Sequence, residues 1–156
     1  MRKPPNRPSL PLVIAAAWCV ATSTAMAEPY TYQGYLVRVI DGDSIVIDVP
    51  AWPAPFRPAR VRIDGVNSPE SRRGVGGAEC EIERNLGKQV SAWLRQKLPK
   101  GSAVTLVWEG KREKYGRLLG RIIMPDGQDA AAAIVKAGYA VSYDGGRRLG
   151  WCRFGR

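Results

Sequence analysis

The sequence predicts an α+β fold in which a small five-stranded β-barrel carries two helices. The periodicity and the length of the chain lead to this prediction. Short segments of alternating apolar and polar residues occur five times, and one segment between the third and the fourth follows a helical period instead. A second, shorter helical segment comes after the fifth. The chain has 156 residues, which suits one domain better than two.

The first three strands are predicted around a turn and a loop. Apolar residues alternate over 35–40 and again over 45–49, and the Asp41-Gly42 pair between these segments favours a tight turn, so they form a hairpin. A loop with three prolines follows at 51–58. The third strand, 60–64, alternates apolar with charged residues, which gives it one charged face.

The remaining elements complete the barrel and add the helices. Apolar residues recur at helical steps over 82–98, and this amphipathic helix ends before Pro99. Two more alternating strands are predicted at 104–108 and 118–124, and a short helix at 130–137. Three strands, a helix, two strands and a helix fit a closed barrel of the OB-fold type, which binds nucleic acids or sugars on one face.

The first 27 residues have the pattern of a secretion signal. Basic residues precede an uncharged segment that ends in Ala25-Met26-Ala27, small residues of the kind that a signal peptidase recognises. We therefore expect cleavage before Glu28, a mature domain over 28–156, and a periplasmic or secreted protein. The alternative is an uncleaved anchor, but the apolar centre at 10–21 is shorter than the roughly 20 residues of a membrane span.

Cysteine usage agrees with export. Cys19 lies in the predicted signal, so the mature chain retains Cys80 and Cys152. An even pair in an oxidising compartment predicts one structural disulfide, and two free buried thiols are the alternative.

Composition narrows the chemistry. The chain has no histidine, which excludes Ser-His-Asp and Cys-His mechanisms, histidine-ligated zinc proteases and any imidazole base. Metal, carboxylate and arginine chemistry remain. The formal net charge of +10 favours polyanionic partners, either nucleic acid or an anionic membrane surface.

Three short segments place charged and oxygen-bearing side chains in turns or at strand ends. They are Asp41-Gly42-Asp43-Ser44, the segment 61–70 that contains Arg62 and Glu70, and Glu113-Lys114-Tyr115-Gly116-Arg117. Each alone has an ordinary structural explanation: an Asp-Gly turn, a surface ion pair and a solvated basic loop. Function is indicated only by the three together.

In this order and around this strand pattern, the three segments resemble the signature of the staphylococcal, thermonuclease-like nuclease family. That signature is an Asp-Gly-Asp turn, an arginine followed five residues later by aspartate, then Pro-Glu, then Lys-Tyr-Gly-Arg. The resemblance covers nearly all of residues 35–143. It implies an OB-fold barrel that hydrolyses phosphodiester bonds with the help of calcium.

The resemblance also implies a role for each matching residue. Calcium would be held by the side chains of Asp43 and Asn67 and the backbone carbonyl of Ser68. Glu70 matches the general base that handles the attacking water, and Arg62 and Arg117 match the two phosphate-binding arginines. Lys114 and Tyr115 match the pair that holds the neighbouring phosphate of the substrate. Phosphodiester hydrolysis needs negative charge neutralised and a water activated, and these groups supply both.

One position departs from the family pattern, because Asn67 stands where the family has its second metal-binding aspartate. The amide still offers a carbonyl oxygen to calcium. With one carboxylate fewer, the affinity for the ion is expected to fall.

The sequence therefore predicts an exported, monomeric, calcium-dependent nuclease, acting on DNA, RNA or both with little sequence preference and most simply as an endonuclease. A catalytically weakened OB-fold module that only binds nucleic acid is the alternative, and Glu70 argues against it because pure binding needs no water-activating acid. A third alternative, an exported protein that binds acidic envelope polymers, leaves the carboxylates unexplained.

Overall fold

The computed structural model describes residues 28–113, 115–148 and 150–153. The predicted secretion signal lies outside them. The described part of the chain forms these elements in order: β1 (Tyr30–Asp41), β2 (Ser44–Asp48), β3 (Ala59–Ile63), β4 (Val66–Asn67), α1 (Glu81–Lys97), β5 (Ala103–Arg112), β6 (Leu118–Ile123), α2 (Ala130–Lys136), β7 (Val141–Ser142) and a 3-10 turn (Trp151–Arg153). None of the helices among these residues is long and apolar enough to cross a membrane.

Five of the strands close into a barrel in the order β1-β2-β3-β6-β5, with β5 returning to β1. The prediction of a five-stranded barrel with two helices is confirmed. Strand β1 makes the closure possible because it has 12 residues, enough for its first half to pair with β5 and its second half with β2. The pair β3–β6 is parallel, and the other neighbouring pairs are antiparallel.

The core follows the alternation that predicted the strands. Apolar side chains two positions apart are fully buried, among them Ile45 and Ile47 in β2 and Val61 and Ile63 in β3, and the alternation is interrupted at the bulges of β1. The second half of α1 covers one end of the barrel with Val90 and Leu94, and the C-cap residue Leu98 continues this apolar surface; all three are fully buried.

The first turns of α1 differ from the prediction. The helical period placed Ile82 on the buried face, but its side chain is 38% exposed, and Glu83 and Gly87 are buried instead. The reason is that this end of the helix packs against the loop after β4 rather than against the barrel. A Cβ added to Gly87 would lie 2.4 Å from the backbone oxygen of Glu70, so a side chain there would push the loop away.

Two features fix the chain beyond the barrel. Strands β4 and β7 pair as a small ribbon. Each has two residues, too few for apolar alternation to predict a strand. A disulfide joins Cys80, the N-cap of α1, to Cys152, with the two Cα atoms 6.0 Å apart. The predicted disulfide is thus confirmed, and it ties the C-terminal segment to the start of α1.

Candidate active site

The centre of the site is the Asp43 carboxylate, which is buried in the turn between β1 and β2. One carboxylate oxygen pairs with Arg62 and accepts a hydrogen bond from the Ser44 hydroxyl at 3.0 Å. The other accepts from the Ser68 hydroxyl at 2.9 Å and the Ser68 amide at 3.2 Å. The turn itself requires glycine, since a Cβ on Gly42 would lie 2.6 Å from the side chain of Val90 in α1.

Arg62 is 4% exposed and reaches this carboxylate from β3. A second guanidinium nitrogen donates to the Val66 carbonyl at 3.1 Å, so the same side chain also holds the turn between β3 and β4. An arginine buried to this degree needs a paired charge, and Asp43 supplies it.

Arg117 approaches from the start of β6. It forms an ion pair with Glu113 and donates to the Ser44 hydroxyl at 2.9 Å. Ser44 in turn donates to Asp43, which pairs with Arg62, so one chain of hydrogen bonds connects the two arginines. The structure therefore brings together both arginines that the sequence predicted as phosphate ligands.

Glu70 lies on the loop between β4 and α1, and α1 holds this loop through Glu83. The Glu83 carboxylate accepts from the backbone amide of Glu70 at 3.4 Å and from that of Glu79 at 2.8 Å. Its place in the first turn of α1 suits a negative charge, because the helix dipole is positive there. Helix α1 thereby positions the predicted general base.

The environment of Glu70 makes its carboxyl a weak acid. Burial raises the pKa of Glu70 to about 7, and the negative charges of Asp43 and Asp41 add to the rise. Arg148 and Arg62 act in the opposite direction. A cation bound nearby would act in the same direction as the two arginines. It would lower the pKa of Glu70 and so favour the carboxylate form, which accepts a proton.

The predicted metal ligands are adjacent, and their chemistry fits a hard cation. Asn67 and Ser68 are both buried, and Ser68 is hydrogen-bonded to Asp43. The three residues offer carboxylate, amide and carbonyl oxygens, which calcium prefers. The Asn67 amide nitrogen finds no hydrogen-bond partner in the described part of the chain. That nitrogen is an N–H donor and cannot coordinate a cation, so only the amide oxygen of Asn67 could serve as a metal ligand. No cluster of three histidine, cysteine, aspartate or glutamate residues suited to a metal exists among residues 28–113, 115–148 and 150–153.

Two of the three catalytic candidates open onto a cleft of about 890 Å³, and the third, Arg62, is buried behind it beside Asp43. Glu70, Arg117 and Tyr115 line it, and Tyr115 is 67% exposed with its ring 5.9 Å from the Arg117 guanidinium carbon. Tyr143 also lines the cleft. Lys114, predicted to bind substrate with Tyr115, lies outside the described residues.

Sequence reasoning missed Arg148, which lines the same cleft with a guanidinium nitrogen 3.5 Å from a Glu70 carboxylate oxygen. It missed Glu83 as the support of Glu70, and Asp41, which accepts a hydrogen bond from the Ser71 hydroxyl beside the cleft. A signal for Arg148 was present: a bridge from Cys152 to Cys80 brings the C-terminal segment to the start of α1, close to the loop that carries Glu70.

Comparison with known proteins agrees with this geometry. A family model described as "Staphylococcal nuclease homologue" matches residues 60–148. The chain is 32% identical over 113 residues to Endonuclease YhcR of Bacillus subtilis (strain 168), an alignment that covers 72% of this chain and 9% of that protein. It is 30% identical over 113 residues to an uncharacterized endonuclease of Escherichia coli O157:H7, covering 72% of this chain and 61% of the relative.

A third relative, Protein ParB of Escherichia coli, is 31% identical over 137 residues, covering 83% of this chain and 66% of that protein. The chain thus spans less than two thirds of the relatives that it matches. The family match includes Arg62, Asn67, Glu70 and Arg117 and extends over more than half of the chain. The chain belongs to the staphylococcal nuclease family.

Proposed function

We propose that the protein is an exported, calcium-dependent endonuclease that hydrolyses phosphodiester bonds of DNA, RNA or both with little sequence preference. The observation that carries this proposal is the convergence of Arg62, Glu70 and Arg117 beside the oxygen ligands centred on Asp43. Two of the relatives are named endonucleases, which supports the same activity. The protein would act as a monomer, since one chain supplies every group that the reaction needs.

The arginines bind the scissile phosphate and stabilise the charge that develops on it. The contacts of Arg117 with Glu113 and Ser44 occupy two of its nitrogens, and a guanidinium has five N–H donors, so donors remain for a phosphate. Charge-assisted bonds from such donors strengthen as negative charge grows in the transition state. Tyr115 and Lys114 hold the next phosphate of the substrate.

Glu70 orients the attacking water and accepts its proton. Its half-buried carboxylate lines the cleft, and the Glu83 contact fixes the backbone beneath it. Calcium, when bound by Asp43, Asn67 and Ser68, supplies Lewis-acid polarisation of a phosphate oxygen.

The second candidate function, a nucleic-acid-binding module with weak or no catalysis, is favoured by one observation. Asn67 gives the metal site one carboxylate where the family pattern has two. Such a module would retain the basic cleft and bind nucleic acid without cutting it.

One experiment separates the two functions. Purified protein is incubated with supercoiled plasmid and with linear single-stranded and double-stranded DNA and RNA, in calcium and in a calcium chelator. We expect degradation in calcium, nicking of the closed plasmid, and no reaction in the chelator. Equal cleavage without a divalent metal would contradict calcium dependence, and retained binding without cleavage in calcium would favour the module.

A further inference from the structure

One buried serine of the candidate active site has no part in the proposed reaction. Ser44 is the first residue of β2, and its side chain is 2% exposed. Its hydroxyl donates to the Asp43 carboxylate at 3.0 Å and accepts from a guanidinium nitrogen of Arg117 at 2.9 Å. Both hydrogen bonds that the structure gives this hydroxyl therefore go to side chains of the site.

The direction of these two hydrogen bonds is fixed by chemistry. A guanidinium offers only donors, an ionised carboxylate offers only acceptors, and a hydroxyl has one proton to donate and lone pairs to accept. The Ser44 proton must therefore point to Asp43, and a lone pair must face Arg117. Alanine, valine or any other side chain without a hydroxyl or similar group cannot make this link.

The barrel places the three linked residues side by side. Ser44 pairs across the strands with Arg62 of β3, and β3 pairs with β6, whose first residue follows Arg117. Arg62 also forms the ion pair with Asp43, and Ser68 holds the other oxygen of that carboxylate. Asp43 is thus a fixed point, and Ser44 extends it to the next arginine.

Arg117 is held at two points of different kinds. Its Nε atom pairs with Glu113, a residue of the connection between β5 and β6, and both side chains are 20% exposed. Its Nη1 atom donates to Ser44, which belongs to the buried barrel. A planar group held at one point can still turn about it, and the second contact fixes the plane of the guanidinium.

We propose that Ser44 is a positioning residue, which ties the Arg117 guanidinium to the buried Asp43 carboxylate and so sets how Arg117 presents its remaining N–H groups to the scissile phosphate. The inference rests on the proposed nuclease function and adds a residue to it. A guanidinium that is fixed before the substrate arrives loses less freedom on binding, and its donors are already aimed when charge develops in the transition state.

The first test removes the hydroxyl and keeps the shape. Ser44→Val and Ser44→Thr add the same methyl group, and only threonine retains a hydroxyl. We expect Ser44→Val to lower kcat about tenfold with a smaller change in KM, and Ser44→Thr to retain most of the activity. Equal losses in the two variants, with melting temperatures like that of wild type, would overturn the proposal.

Two further variants complete this test. Ser44→Ala removes the hydroxyl without adding atoms, so it replaces the valine variant if the extra methyl group disturbs the barrel, and the same tenfold loss is expected. Ser91→Ala is the matched control. Ser91 is also a buried serine, but its hydroxyl donates to the Gly87 carbonyl within α1 at 2.7 Å. It should keep the kcat of wild type.

The second test asks whether Ser44 acts through Arg117. If it does, Ser44→Ala has no further effect on kcat once Arg117→Ala has removed the guanidinium, because nothing is left to position. Losses that multiply in the double variant would show that Ser44 acts independently of Arg117 and would overturn the proposal.

The third test measures binding without cleavage. In a calcium chelator, fluorescence anisotropy of a labelled oligothymidylate should show about threefold weaker binding by Ser44→Ala than by wild type, and no difference between Arg117→Ala and the double variant. Calorimetric titration with calcium should give Ser44→Ala the affinity of wild type. A loss of calcium affinity as large as the loss of kcat would instead assign Ser44 to the metal site.

The outcomes separate this inference from the proposed function. If wild type cleaves nucleic acid in calcium and Ser44→Ala cleaves it equally fast, the positioning role is wrong and the nuclease stands. If no substrate is cleaved but Ser44→Ala weakens oligothymidylate binding only where Arg117 is present, the nuclease is wrong and the positioning role stands.

Discussion

The two halves of the candidate active site are built in different ways. On one side, Asp43 and Arg62 are buried in the barrel, and every oxygen of the Asp43 carboxylate has a partner. On the other side, Glu70 lies on a loop and faces Arg148 on the C-terminal segment, both of them partly exposed. The half that we propose to bind phosphate and metal is thus part of the fold, whereas the half that we propose to activate water is attached to it by α1 and the disulfide.

This difference predicts that removing a buried side chain on the barrel side costs stability as well as activity, whereas replacing a side chain of the loop side costs activity alone.

The largest effect is expected from Arg62→Ala. It leaves the Asp43 carboxylate buried without its cation, which should lower the free energy of unfolding by about 3–5 kcal/mol in chelator and abolish cleavage. Urea unfolding, monitored by circular dichroism, measures the free energy of unfolding.

Arg117→Ala is the control for Arg62→Ala, because its pair with Glu113 is closer to solvent. It should lose activity by about 10²–10³-fold but cost only about 1 kcal/mol of stability. Equal destabilisation by the two variants would contradict burial of the ion pair as the source of the stability cost.

Glu70→Gln should lower kcat by about 10²–10⁴-fold without lowering the melting temperature, because burial disfavours the charged carboxylate that the substitution removes. The amide keeps the size of the side chain but accepts no proton. The hydrogen bonds that hold the barrel together do not involve this carboxylate. Glu109→Gln neutralises an acid in a surface pair with Lys111 and should keep full activity. An active Glu70→Gln variant would remove Glu70 from the role of base.

The barrel half was predictable from sequence and much of the loop half was not, for physical reasons. Alternating apolar residues predicted the strands because burial on one face of a strand imposes a period of two. The motifs at strand ends predicted Arg62 and Arg117 as site residues. The exposed Ile82 was mispredicted because a helical period shows which face is apolar, not which part of that face meets a loop. The place of Arg148 in the site depends on a contact between segments far apart in the chain. No local sequence period predicts such a contact.

Removing the disulfide tests how the loop half is attached. Replacing Cys80 and Cys152 by serine opens a link of 72 residues and should lower the free energy of unfolding by about 2–5 kcal/mol. Serine at position 80 can still cap α1, so the helix itself is preserved. We expect kcat to fall far less than in Glu70→Gln, because Glu83 continues to hold the loop. A loss as large as that of Glu70→Gln would mean that the bridge also sets the catalytic geometry.

Asn67→Asp should tighten calcium binding about tenfold, because it adds a carboxylate beside a divalent ion. Isothermal titration calorimetry measures the change. Asn85→Asp adds the same charge at an exposed position on α1 and should have no effect. Unchanged or weaker affinity in Asn67→Asp would place Asn67 outside the metal shell, and an inactive wild type with an active Asn67→Asp variant would favour the binding module.

The smallest effect is expected from Arg148→Ala, which tests whether the C-terminal segment contributes to the reaction. Arg148 contacts Glu70 at 3.5 Å but is half exposed, so solvent screens its charge. We expect kcat to fall about two- to fivefold, the range of a partly exposed ion pair, with the melting temperature unchanged. Arg147→Ala removes an equal charge from the adjacent exposed position and should raise KM without lowering kcat, because a general loss of positive charge weakens substrate attraction only. Arg148→Lys should recover part of the lost kcat. If Arg147→Ala and Arg148→Ala lower kcat equally, the contact with Glu70 has no specific role, and the C-terminal segment serves only to stabilise α1 through its disulfide.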